Sequence, residues 1–120
     1  MKWENLMAKN YVQDGETIEF TAAADVKSGD AVVVGDLVVV SINDVASGEI
    51  GVGHATGVWS LPKASATTFG QGVAVYLKDG EIGTDDSGTY AGKAWSEGVN
   101  GEAVASVKLG VGNVTVTAAP

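Results

Sequence analysis

Thr17-Ile18-Glu19-Phe20-Thr21 alternates polar and apolar side chains, and a period of two predicts a strand with one face in a core. Two later runs do not alternate. Ala31-Val32-Val33-Val34 and Leu37-Val38-Val39-Val40 flank Gly35-Asp36 and predict a hairpin with a two-residue turn, Gly at the first central position suiting the type II′ form. Strands apolar on both sides must be covered on both sides, by the middle of a barrel or sandwich or by another subunit. Beyond them, Glu49 to Ala55 and Gly57 to Leu61 predict two strands, the second stopped by Pro62. Lys63 to Thr68 is expected to form one helical turn. Val73 to Lys78 meets Asp79-Gly80, a strong hairpin signal, and Asp85 to Gly88 is a polar loop. Tyr90 to Trp95, Ala103 to Leu109 and Val111 to Thr117 complete the series.

The fold class this predicts is all-β: a compact barrel or sandwich of about nine or ten short strands with turns every eight to twelve residues. The expected organisation is a flexible N-terminal arm over 1–8, a single β-domain over 9–110 and a C-terminal strand or tail over 111–120. An internal echo runs through it. Val45-Ala46-Ser47-Gly48-Glu49-Ile50 is matched by Gly98-Val99-Asn100-Gly101-Glu102-Ala103, each leading into a strand that ends at Gly57 or Gly110, so two similar β-units are expected to pack face to face.

Composition narrows the function more than the fold. The 120 residues carry 17 Gly and no Cys, which removes disulfides, thiolate metal sites and thiol nucleophiles. There is no Arg, and the seven cations are single Lys residues against 15 carboxylates, a formal charge of −8. Nucleic-acid binding needs clustered cations to displace phosphate counterions, so no nucleic-acid partner is expected. The longest apolar run, 31–40, is broken by Gly35-Asp36 and is too short for a bilayer, which takes about 20 residues; with no signal-like stretch at the N-terminus, a soluble cytoplasmic product is expected.

Candidate chemistry is sparse. His54 is the only His, whereas a zinc site or a hydrolytic triad needs several partners. Asp85-Asp86 lacks the spacing and the final Glu of a calcium loop. Gly88-Thr89-Tyr90-Ala91-Gly92-Lys93-Ala94 is one residue short of a phosphate loop and has Ala where Ser or Thr must bind Mg²⁺. Trp59 and Trp95 are of the type that lines a sugar site, but β-cores and subunit interfaces use such residues routinely. No catalytic, cofactor-binding or metal residue is therefore assigned, and no enzymatic activity or cofactor is expected.

Lys9-Asn10-Tyr11-Val12-Gln13-Asp14-Gly15-Glu16-Thr17-Ile18, then Val26-Lys27-Ser28-Gly29-Asp30 and Val32-Val33-Val34-Gly35, resembles the capsid cement (decoration) proteins of tailed bacteriophages. The likeness continues through Gly57-Val58-Trp59-Ser60-Leu61-Pro62-Lys63, Gly72-Val73-Ala74-Val75-Tyr76 and Gly101-Glu102-Ala103-Val104-Ala105-Ser106-Val107-Lys108-Leu109, covering about residues 9–109. Leu77 departs from it, standing where the family often has an aromatic. The resemblance implies a structural virion protein that binds the outside of the assembled head, commonly as a homotrimer, and braces the major capsid protein. Trp3, Leu6 and Tyr11 are then candidate capsid contacts, and Val32, Val34, Leu37 and Val39 of the two-sided hairpin a candidate oligomer interface, since obligate interfaces resemble a core cut in half. The alternatives are a ligand-binding or adhesive β-module, for carbohydrate as one example, and a head–tail joining protein.

Overall fold

The computed structural model describes residues 10–112. Among them are nine strands and no helix: β1 (Thr17–Thr21), β2 (Ala31–Val34), β3 (Leu37–Ser41), β4 (Ile50–His54), β5 (Gly57–Pro62), β6 (Ala74–Lys78), β7 (Glu81–Gly83), β8 (Thr89–Ala94) and β9 (Val104–Leu109). All pairings within the two sheets are antiparallel, in the orders β1-β4-β3-β2 and β5-β9-β8-β6-β7. The all-β sandwich expected from the pattern is the observed architecture. The strand expected over Val111 to Thr117 lies outside the described residues from 113 onward, as does the arm 1–8.

Two local expectations need correction. Lys63 to Thr68 is not helical: Lys63 N–H donates to Ala103 O and Ala64 N–H to Ile82 O, which keeps the start of the segment bonded to the chain beside the sheet. Only a single turn, Thr67 N–H to Ala64 O at 3.0 Å, remains. Strand β7 did not stand out because three residues with one apolar side chain, Ile82, carry no period.

Both tight hairpins follow their turn chemistry. Gly35 has φ +62° with Asp36 on the negative side, as a type II′ turn requires, whereas Asp79 and Gly80 are both left-handed (φ 54° and 80°), the type I′ requirement.

The two sheets are variants of one unit. With β7 set aside, in each the first strand pairs with the fourth, the fourth with the third and the third with the second. The connecting bonds recur as well. Val26 and Val45 exchange backbone hydrogen bonds, and so do Phe69 and Gly98; Gly29 N–H donates to Ser41 O as Gly72 N–H does to Ala94 O; Gly48 N–H donates to Ala22 O as Gly101 N–H does to Ser65 O. The second unit is longer between its second and third strands, where β7 and the Asp85 loop are inserted. The sequence echo thus marks the same corner of each unit.

Strand β3 joins two cores. Val38 and Val40 face the second sheet and pack with Leu61, Val75, Leu77, Val107 and Leu109. Val39, on the opposite face, packs with Phe20, Ala22, Val45 and Ala55, closed over by Ile18, Val26, Val32 and Val34. The first sheet is therefore curled around its own third strand. Burying a Val side chain stabilises by roughly 1.5–3 kcal/mol, and β3 buries three in succession. The requirement that both faces of the hairpin be covered is met on one side by the second sheet and on the other by the first sheet itself.

Candidate interaction surface

The curl decides which hairpin residues face outward. Val39 is 0% exposed, and Val32 and Val34 are half-buried over the same small core, so these three hold the domain together. The outward members are Leu37, 37% exposed, and Val33, 47% exposed, which the pattern alone did not single out.

Curling also brings opposite edges of the first sheet near each other. Glu19, Phe20 and Thr21 of β1, with Ile50 of β4, form one bank of an open groove of about 490 Å³, and Val33, Val34 and Gly35 form the other. Ile50 is 70% exposed at its mouth. Asp36 and Glu49, chain neighbours of lining residues, add to Glu19 two further exposed carboxylates.

Tyr11, 53% exposed, donates its hydroxyl to the Asp14 carboxylate, and that bond raises the phenol above its ordinary value. Trp3 and Leu6 lie outside the described residues.

The aromatic residues divide between two tasks. The Trp59 ring stacks on His54 with centroids 4.7 Å apart, and its Nε1–H donates to Thr56 O at 2.8 Å, so Trp59 ties β5 to the end of β4. Trp95, in contrast, is 54% exposed. Tyr76 and Tyr90 meet edge to face at 5.7 Å, with Lys93 Nζ 5.9 Å from the Tyr90 ring. The Tyr90 hydroxyl is buried without a hydrogen-bond partner among the described residues, and that burial raises its pKa.

The charged groups build structure where they are buried or paired. Lys63 is 2% exposed, and its ammonium donates to Ala64 O at 3.0 Å and Ser65 O at 3.2 Å, bracing the corner that stands where a helical turn was expected. Asp85 accepts from Lys78 Nζ at 2.7 Å and from the Ser87 N–H and hydroxyl, which together hold its carboxyl well below the ordinary carboxylate range. Lys78 is correspondingly raised, chiefly by the same bond. The Asp85-Asp86 loop thus spends its first carboxylate on closing itself. Among the described residues no three His, Asp or Glu side chains gather as a metal site would need, and no helix is long and apolar enough to cross a membrane.

The second sheet also has an outward face. Leu61, Val75, Ala91, Ala105, Val107 and Leu109 point into the core, so the alternate positions Val58, Ser60, Ala74, Lys93, Ser106 and Lys108 point away. Lys93 lies directly opposite Lys108 in the β8–β9 register, Lys108 opposite Val58, and Lys93 opposite Ala74. Exposed Val104 and Trp95 flank the row.

Comparison with curated proteins and with solved structures returned no match. A family model described as phage cement protein matches residues 12–109, from the segment before β1 to the last residue of β9. That span takes in both β-units, both cores and the outward faces of both sheets, and on it the chain belongs to the phage cement protein family.

Proposed function

We propose that the protein binds the outer surface of the assembled phage head as a homotrimer and stabilises the shell by bridging neighbouring subunits of the major capsid protein. The observation that carries this reading is the family match over both β-units. The surface supports it. Val33, Leu37, Ile50, Val58, Val104 and Trp95 are exposed apolar residues on a compact framework, as expected of a protein whose work is contact with other chains. The residues best suited to chemistry, His54, Lys63 and Asp85, are each engaged in packing or in closing a corner or loop. The mechanism is binding without catalysis. A ligand that binds the assembled shell but not free subunits stabilises the shell by about 2.7 kcal/mol per site at a concentration one hundred times its Kd. In this reading Trp3, Leu6 and Tyr11 reach the capsid, while the outward residues of the 31–40 hairpin meet a neighbouring copy. The carbohydrate alternative is weaker, since the Trp59 ring and its N–H are committed to His54 and Thr56.

The test is cosedimentation with emptied heads and, separately, with unassembled capsid subunits. Saturable binding to heads alone, in multiples of three copies per site, is the expected result. Equal binding to free subunits, or none to heads, overturns it.

A further inference from the structure

The two β-units differ at one seam. The backbone bonds they share place Ala22, Val26 and Gly29 each 43 positions before its counterpart, Ser65, Phe69 and Gly72. By the same offset β2 corresponds to the start of β6, and Phe20 and Thr21 correspond to Lys63 and Ala64. Phe20 and Lys63 are both buried.

In the second unit β7 fills that seam. It pairs antiparallel with β6, Tyr76 with Gly83, Leu77 with Ile82 and Lys78 with Glu81, and it meets the chain just after β5 in a parallel bridge, Lys63 with Ile82. Ala64 N–H donates to Ile82 O at 3.0 Å, and the Ile82 side chain is fully buried in the larger core. Carried back by 43 positions, the residues that seat β7 are Phe20, Thr21, Val33, Val34 and Gly35. These same residues form both banks of the groove in the first unit. The groove is thus the seat of a strand, and among the described residues no strand lies in it.

Its banks are prepared for one. Ala55 N–H donates to Glu16 O and Ala22 N–H to Glu49 O, so the even-numbered residues of β1 bond to β4, and Thr17, Glu19 and Thr21 turn their backbone groups to the open side. Gln13 Nε2 donates to Thr17 O; Glu19 and Thr21 stand at the groove itself. In β2, Val32 and Val34 bond across the hairpin to β3, and Ala31 and Val33 turn outward. Ile18, Val32 and Val34 are only half-buried over the smaller core, where the larger core has Ile82. An open sheet edge of this kind takes an added strand.

The chain carries a segment that fits. Residues 111–117, predicted as a strand, are uncharged and alternate Val and Thr over 114–117. Just before them Gly110 packs on the end of the first unit, since a Cβ there would lie 2.9 Å from Ala55 O. Ala55 is bonded to Glu16, so the segment sets out from the end at which β1 begins. Seven extended residues cover about 23 Å, and the five positions from Glu16 to Thr21 about 17 Å. A strand laid along that path runs parallel to β1 and antiparallel to β2, the same sense in which β7 passes β5 and β6. Residues 1–9 lack the alternation and carry Lys2, Glu4 and Lys9.

We propose that the C-terminal segment Val114-Thr115-Val116-Thr117 adds to the β1/β2 groove of its own chain as the strand that completes the first unit. Val114 and Val116 turn inward, and one of them stands over Ile18 and Val34 as Ile82 stands in the larger core. Both units are then closed against strand addition by other chains. The contact lies within one copy, so it holds whatever the oligomeric state.

The test uses the full chain in solution, read by NMR. In the wild type the amides of Glu19, Thr21, Ala31 and Val33 are expected to exchange slowly with solvent. Val114→Asp/Val116→Asp is expected to speed their exchange about tenfold or more, while the amides of β9, paired on both sides, keep their protection. A nitroxide on Thr117→Cys, in a chain with no other cysteine, is expected to broaden the same four amides. In an equal mixture of spin-labelled ¹⁴N chain and unlabelled ¹⁵N chain that broadening is expected to be lost or much weaker. Equal broadening in the mixture puts a neighbour's segment in the groove and overturns the proposal. Fast wild-type exchange at these amides, exchange that the Asp variant leaves unchanged, or absent broadening overturns it as well.

Discussion

If the first sheet closes over its own third strand, the glycines of β4 are there to let that strand approach. A Cβ added at Gly53 would lie 2.6 Å from Val39 Cγ2, 3.0 Å from Val39 Cβ and 3.4 Å from Val40 O. Val39 is β-branched and 0% exposed, so it has neither a rotamer nor a space to retreat into. Gly53→Ala is therefore an overpacking change, expected to cost about 1–3 kcal/mol. For a domain of this size that lowers Tm by roughly 5–20 °C. Val39→Ala removes two buried carbons and costs about 1.5–3 kcal/mol, by transfer and cavity terms together. In the double variant the methyl that clashes is gone and the added Ala fills part of the void. The remaining 3.0 Å approach to the residue-39 Cβ keeps the rescue partial. The double variant should be more stable than the sum of the singles by at least about 1 kcal/mol. Thermal and denaturant unfolding of the four proteins measures this coupling. Additive losses within about 0.3 kcal/mol would refute the direct contact of Val39 with β4, and with it the curl that buries the hairpin's inner face.

Other expectations follow from the site residues. Lys63→Met keeps the stem and removes a buried ammonium held only by carbonyls, so it is expected to be neutral or stabilising in thermal unfolding, whereas Lys63→Ala leaves a cavity and is destabilising. The Asp85 carboxyl, read by carbon NMR across a pH titration, should titrate below the ordinary value near about 3.9, and Lys78→Gln should move it back toward that value. Because its folded pKa is depressed, its contribution to stability is present above the unfolded value and is lost as pH falls through the folded one; the pair is exposed, so the effect on Tm at neutral pH should be small. Deleting residues 1–8 should weaken binding to heads while leaving Tm unchanged; undiminished binding would remove Trp3 and Leu6 from the contact.

Much of the fold could be read locally. Alternation in Thr17–Thr21, the Gly35-Asp36 and Asp79-Gly80 turns and the repeated Gly-Glu corner each act within a few residues, and each appears in the structure where the pattern put it. The curl is not local. Nothing in Leu37–Val40 distinguishes burial by another subunit from burial by β1, which ends 16 positions before Leu37, and β4, which begins 10 positions after Val40. The available signal was Gly51-Val52-Gly53, since small residues at alternate positions of a strand mark close approach on one face. Along the chain Lys93 and Lys108 are single lysines fifteen positions apart. Only the register of β8 and β9 sets them opposite each other.

The central claim, that this cement-family protein stabilises the shell, is tested most directly by the temperature at which DNA-filled heads rupture, measured with and without bound protein. The account predicts a saturable rise in that temperature that follows occupancy. Heads that carry the protein at full occupancy and rupture at the temperature of bare heads would contradict it.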